Sequence, residues 1–374
     1  MIESLAKMCK VLVVTYNNTY SANARSNARL SDREIMDILE SRGKTQLFEY
    51  DFKPFTSGKG KLSNHKERIY MSCAKLKERF IASPLNYVGG KYRLLTQLFP
   101  LFPKDINIAL DLFCGGANVG INMSAREIIL NDSLSELTKL YQNLQQKNPQ
   151  IIFNTIYNII DEFKLSNTAK YGYGFYQCDS AKGLSSYNKE HFLALRNRYN
   201  KTKNPLDLFV LIIFAFNNQI RFNAKREFNL PCGKRDFNQN MPDKLKHFLT
   251  KLQNKNVMIF NKDFREFPLE MLDSKSFVYI DPPYFLATAP YNENKAWSLQ
   301  DELDLLEFLR ILESKNIRFA LSNVIFHKDR EHRILKEWLE KHQKFKVHYL
   351  DFHYKNCNYQ TKNAESSEVL VTNY

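Results

Sequence analysis

From residue 84 onward, short apolar runs alternate with longer amphipathic stretches, the pattern of strands laid between helices. Residues 106–112, 127–130, 257–260, 277–280, 317–321, 346–350 and 368–372 read as strands, and helical spacing holds over 134–144, 299–314 and 331–342. This order predicts an α/β fold with a Rossmann-like sheet and ligands at the strand ends. A helix-rich insert, residues 141–255, interrupts it and closes in a polar, aromatic and basic loop region. The expected catalytic unit is therefore 81–140 together with 256–374.

Residues 1–80 follow another pattern. Residues 11–14 read as a strand and 45–52 as a second. Ser31 and Glu34 form a capping-box signature at the start of a helix over 33–42, which Gly43 ends. A basic, polar stretch, 56–79, separates this segment from the rest.

Composition narrows the class. Gly and Pro, 12 of each in 374 residues, exclude a collagen-like chain, and 28 Phe, 20 Tyr and 2 Trp argue against global disorder. The longest apolar run, 208–216, is far short of the roughly 18 residues of a membrane span. The first residues lack the apolar segment of a signal peptide, so a soluble, cytoplasmic protein is expected. The excess of 54 Lys+Arg over 40 Asp+Glu gives a net charge of +14. Such a surface suits a polyanion, because cationic side chains release the counterions condensed on nucleic acid. A Lys- and Asn-rich genome would give the same balance without such a partner, and charge alone leaves both open. The six cysteines (Cys9, Cys73, Cys114, Cys178, Cys232, Cys357) form no C-x-x-C pair, so reduced thiols and no metal are expected. His327, His332, His342, His348 and His353 are scattered and are expected to be structural.

The chemistry concentrates in two motifs. Asp281-Pro282-Pro283-Tyr284 directly follows the strand at 277–280. Paired prolines continue neither a sheet nor a helix body, so the chain is held rigidly there. A carboxylate, a backbone carbonyl and an aromatic face are offered together, as a planar base bearing an amino group requires. The second motif is the Gly-rich turn Asp111-Leu112-Phe113-Cys114-Gly115-Gly116-Ala117, where backbone can approach a ligand. Asp132 ends the next strand, 21 residues after Asp111, near the spacing at which an acid meets ribose hydroxyls. No G-x-x-x-x-G-K-[ST] occurs, so a nucleoside without phosphates fits better than ATP or NAD.

Asn86-Tyr87-Val88-Gly89-Gly90-Lys91, the Phe113–Gly116 turn and Asp281-Pro282-Pro283-Tyr284, in that order, resemble the Dam-type DNA adenine methyltransferases. Residues 216–223, Glu227-Phe228-Asn229-Leu230-Pro231 and Leu321-Ser322-Asn323 add to the resemblance, which covers 84–374. It implies a methyltransferase sheet with a DNA-recognition insert. It implies S-adenosylmethionine held by Tyr87, Lys91, Asp111, Phe113, Gly115, Gly116 and Asp132, with Asp263 and Phe264 at its adenine. It also implies catalysis by Asp281, Pro282, Pro283 and Tyr284 on the amino group of a flipped adenine. The partners implied are double-stranded DNA and a cognate restriction endonuclease that acts on the same site without a stable complex. Asn217, Arg221, Asn223, Lys225, Arg226, Lys234 and Arg235 are the candidate DNA-binding residues: basic groups position phosphates, and Asn and Arg side chains read base edges. One departure stands out. Ala117 follows Gly115-Gly116 where the family pattern expects a glycine, and a positive φ there would strain it. Cytosine-N4 or RNA amino methylation, and a catalytically silent DNA-binding relative, stay open beside adenine. Residues 1–75 resemble the tail of an upstream methylase fused to a complete second one; a small accessory unit on the DNA face is the alternative.

Overall fold

In the computed structural model of the chain, the described residues are 11–17, 30–51, 66–74, 80–87, 89–254, 256–286, 297–327, 330–351 and 366–374. Cys9, Val88, His353 and Cys357 fall outside them. The chain divides into two units, Met1–Arg79 and Phe80–Tyr374.

In the first unit, β1 (Val11–Asn17), α1 (Asp32–Arg42), β2 (Gly43–Asp51) and β3 (Lys66–Ala74) build an antiparallel sheet of order β1-β3-β2. The helix seals a small core of Leu12, Ile35, Leu39 and Tyr70. The capping box forms: the Ser31 amide donates to Glu34 at 2.8 Å, and the Glu34 amide donates to Ser31 Oγ at 3.3 Å. The stretch expected to be a separator instead supplies β3, the central strand. Tyr70 and Ser72 are buried there while Arg68 pairs with Glu49, so apolar alternation is nearly absent from its sequence. Backbone pairing on both sides adds to that burial and fixes its register.

The second unit begins with a helical turn that includes α2 (Leu95–Leu98), followed by β4 (Ile108–Asp111), β5 (Glu127–Asn131) and α3 (Ser135–Gln146). The insert contributes α4 (Pro149–Glu162), α5 (Thr168–Phe175), α6 (Ser185–Thr202), α7 (Pro205–Phe214) and α8 (Met241–Asn254). Then come β6 (Val257–Phe260), β7 (Phe277–Ile280), α9 (Leu299–Ser314), β8 (Arg318–His327), β9 (Arg330–Glu331), α10 (Arg333–Lys341), β10 (Lys346–Leu350) and β11 (Ser366–Thr372).

The sheet runs β10-β11-β8-β7-β4-β5-β6, with β9 against β8. The strands from β6 to β8 pair in parallel, and β11 lies antiparallel between β8 and β10. Successive residues of a strand face opposite sides, and each side here meets helices. Ala109, Ile128, Phe277 and Tyr279 join one apolar cluster with the insert helices. Leu110, Ile129, Val278 and Ile280 join the other, with Leu305, Leu309 and Leu335 of α9 and α10. The long apolar run noted above is α7, buried along its whole length. Asn204 caps it, and its one charge, Asp207, is matched by the Arg198 guanidinium at 2.7 and 2.9 Å. Among the described residues no helix is long and apolar enough to cross a membrane.

Strand order fixes where a ligand fits. The chain leaves β4 towards β5 and β6 on one side, while β7 and β8 lie on the other. Between the carboxyl ends of β4 and β7 the connections diverge and open a crevice. Asp111 ends β4, and Asp281 follows β7.

Candidate active site

The crevice is lined first by the turn after β4. Gly115 has φ +45°, and a Cβ there would come within 2.9 Å of the Tyr87 ring. Glycine is required on both counts. The segment carrying Tyr87 is tied across the turn: the Ser83 amide donates to Asn118 Oδ1 at 2.9 Å, and the Ile81 amide to Asn122 Oδ1 at 2.8 Å. Tyr141 from α3 donates its hydroxyl to the Gly115 carbonyl at 2.6 Å. Ala117 adopts φ +56°, the left-handed region a glycine would occupy without cost. Its methyl is fully buried within the apolar cluster.

Three acids converge below the turn. Asp111 Oδ2 accepts the Gly120 amide at 2.8 Å, and burial pushes its carboxyl up to about 8. Asp132 accepts the amides of Gly115 and Leu134, both at 2.9 Å, and burial raises it as well. Asp281 is raised by burial and drawn back by Lys91. To one side Phe113, Phe264 and Trp297 form an aromatic triangle with ring centroids 5.5, 5.8 and 5.9 Å apart. Asp263 caps the turn that presents Phe264, accepting the Arg265 amide at 3.0 Å.

The structure joins Asp281 and Tyr284 to Lys91 and to a residue the sequence did not single out. The Lys91 ammonium, 4% exposed, lies 2.9 Å from Asp281 Oδ1 and 3.4 Å from Glu368 Oε1, and 5.0 Å from the centre of the Tyr284 ring. The Tyr284 hydroxyl is 3.1 Å from Asp281 Oδ1 and 3.0 Å from Glu368 Oε1, and its single proton serves one at a time. Glu368 belongs to β11, where β11 pairs with β8. A charged residue opening the apolar run 368–371 was the available signal. Trp297 was missed for a different reason: its ring neighbours lie far from it in sequence. Leu321-Ser322-Asn323 falls inside β8, where Ser322 Oγ meets the Tyr279 hydroxyl at 2.8 Å.

This geometry coincides with a family pattern. Residues 87–362 match the model of the D12 class N6 adenine-specific DNA methyltransferases. The chain belongs to that family. It is 40% identical over 367 residues to modification methylase StsI of Streptococcus sanguinis, covering 96% of this chain and 50% of that protein. It is 36% identical over 377 residues to the type II methyltransferase M.FokI of Planomicrobium okeanokoites, covering 93% of this chain and 55% of the relative. The chain thus spans about half the length of these two relatives. With the DNA adenine methylase of Escherichia coli K12 it shares 25% identity over 272 residues, 71% of this chain and 85% of that one.

In this D12-class chain the candidate DNA residues do not behave alike. Lys225, Lys234, Arg235 and Asn217 are exposed, Asn217 at φ +53°. Lys234 donates to the Ala181 carbonyl at 3.3 Å. Arg221 is held by Asn229, with Nε 2.8 Å from its Oδ1. Asn223 shapes the turn, accepting the Lys225 and Glu227 amides at 3.0 and 2.9 Å. Arg226 reaches back to α3, 2.9 Å from Ser135 Oγ and paired with Glu136. Phe222 and Phe228 bridge beneath this loop, so much of its polar content braces its own shape.

Proposed function

We propose that the chain methylates the N6 amino group of adenine in double-stranded DNA with S-adenosylmethionine, as the modification half of a cytoplasmic restriction–modification pair. The observation that carries this reading is the meeting of Asp281, Tyr284 and Lys91 at the crevice between β4 and β7. The site residues suit the cofactor: the carboxylates of Asp132, Asp281 and Glu368 favour a sulfonium cation, and the Phe113–Phe264–Trp297 triangle offers faces for an adenine ring. Tyr87 and the Gly115–Gly116 turn would hold the methionine portion, and Asp132 the ribose.

Bound there, S-adenosylmethionine supplies an electrophilic methyl on sulfur. This chain's own residues prepare the acceptor. The amino lone pair of adenine is delocalised into the ring and is a poor nucleophile. Asp281 and the Pro282 carbonyl accept the two amino hydrogens, turning the nitrogen towards a tetrahedral shape with a free lone pair. Tyr284 stacks on the extruded base, and positioning supplies most of the rate. Lys91 holds Asp281 as the anion, ready to receive the proton the nitrogen sheds. Asn217, Lys225, Lys234 and Arg235 are the DNA contacts of the insert, with Arg221, Asn223 and Arg226 shaping the loop that carries them. Residues 1–79 are read as part of a longer tandem architecture, since the alignments to the two longer relatives take in 96% and 93% of this chain.

Methylation-aware sequencing of DNA from cells expressing the chain tests the proposal. N6-methyladenine at one fixed site is expected; N4-methylcytosine, or unmodified DNA, would overturn it.

A further inference from the structure

Lys91 has two carboxylate partners where one would form the ion pair. Asp281 Oδ1 is the nearer, and Glu368 Oε1 shares both the ammonium and the Tyr284 hydroxyl. Glu368 is 1% exposed, and its Oε2 has no hydrogen-bond partner among the described residues. Burying a second carboxylate with one oxygen unsatisfied is costly, so the fold tolerates an anion that the Lys91–Asp281 pair by itself does not need.

We propose that Glu368 is a positioning residue that sets the charge of the site: it draws the Lys91 ammonium partly away from Asp281 and keeps the cluster net anionic for a cationic cofactor. This rests on the reading above, in which Asp281 accepts the amino group and the methyl donor is a sulfonium. With all three groups ionised, the Lys91–Asp281–Glu368 cluster sums to −1, and a sulfonium beside it brings that cluster to neutrality. With a neutral residue at 368 the same cofactor would meet a cluster already neutral and leave it at +1. Lys91 would also lose its pull towards Glu368, closing the pair with Asp281 and engaging the carboxylate that the base needs. Burial raises the Glu368 carboxyl and Lys91 draws it back, so a further cation favours its ionised form.

The charge difference between S-adenosylmethionine and its neutral demethylated product, S-adenosylhomocysteine, gives a measurement that a packing role would not move. Calorimetric titration of the full chain with each ligand, for wild type, Glu368→Gln and Glu368→Asp, is the test. Glu368→Gln keeps the size and an acceptor for Tyr284. It is expected to lower the preference for S-adenosylmethionine over S-adenosylhomocysteine by about tenfold, the effect of one unit charge at ~10 Å in a partly screened interior. Affinity for S-adenosylhomocysteine should stay within about twofold. Glu368→Asp, which retains the charge, should keep the wild-type preference even if its shorter reach weakens both ligands. Equal loss of both ligands in Glu368→Gln, or a Glu368→Asp preference as low as that of Glu368→Gln, would overturn the proposal. Wild-type protein that binds neither ligand would instead overturn the cofactor reading beneath it.

Discussion

His332 Nε2 and Glu302 Oε1 lie 3.0 Å apart with both side chains fully buried. The Leu335 amide donates to His332 Nδ1 at 3.3 Å, which fixes the imidazole with Nε2 on the carboxylate side. Glu302 Oε2 in turn accepts the Trp297 indole at 2.7 Å, and the Phe285 ring lies 5.6 Å from the imidazole. One carboxylate on α9 thereby links the residue after Tyr284 to the third ring of the aromatic triangle. Glu302→Ala strands the buried Trp297 indole donor and removes the carboxylate beside His332, and is expected to cost about 2–4 kcal/mol in urea unfolding. Glu302→Gln, which keeps an acceptor for Trp297, should cost less. Equal stability of the alanine variant and wild type would show that the contact does not hold the fold.

Asp281→Ala removes the acceptor without touching the turn after β4. Methylation is expected to be lost while S-adenosylmethionine binding survives. A variant with full activity would remove Asp281 from the chemistry.

Gly115 and Gly89 separate steric from conformational need. Both have positive φ, +45° and +79°, but only at Gly115 would a Cβ strike the Tyr87 ring. Gly89→Ala should cost about 1 kcal/mol and little else. Gly115→Ala should cost more and displace Tyr87, lowering cofactor affinity at least about tenfold, equivalent to roughly 1.4 kcal/mol. Similar affinities for the two variants would mean that Tyr87 does not contact the cofactor.

The cofactor-free protein should lose stability as pH rises. Asp111 has its folded carboxyl raised to about 8 from an ordinary value of 3.8, so between these limits the folded state holds the proton that the unfolded chain releases. Stability is then greatest below about 4 as far as this group is concerned, and falls through the window at up to roughly 1.4 kcal/mol per pH unit. Asp111→Asn should flatten the dependence by one group's share while still offering an oxygen to the Gly120 amide. Unfolding measured from pH 5 to 8 with an unchanged slope would place the titration elsewhere.

The exposed and the tethered cations of the insert should differ on DNA. Lys225→Ala and Arg235→Ala are each expected to weaken binding uniformly across sequences and to reduce the salt slope by about 1. Arg226→Ala should leave the slope nearly unchanged and instead loosen the loop, because its guanidinium is spent on Ser135 and Glu136. A full unit lost from the slope in Arg226→Ala would return it to the DNA face.

The apolar runs at 127–130 and 277–280 were legible because strands buried on both faces leave little room for polar residues, and 257–260, half-buried at the sheet edge, was legible from its unbroken apolar run. Asp281-Pro282-Pro283-Tyr284 was legible because its chemistry is contiguous. β3 of the first unit was not, since apolar alternation is nearly absent from its sequence. The neighbours that engage Arg226 and Asn223 were not legible, because sequence reports a side chain's chemistry without its partner. The contacts of Trp297, Glu302 and His332, the last expected to be structural, escaped for the same reason.

The sequence by itself determined the α/β class and the two contiguous loop motifs, both of them local properties of residue type and spacing. Tertiary structure alone decided that β4 and β7 lie side by side and that β11 inserts antiparallel next to β8. Those pairings bring Glu368 to Tyr284, 84 residues before it, and to Lys91 near the start of the second unit. Electrostatics acts over ångströms in space, so the balance of charge at Asp281 is a property of the fold.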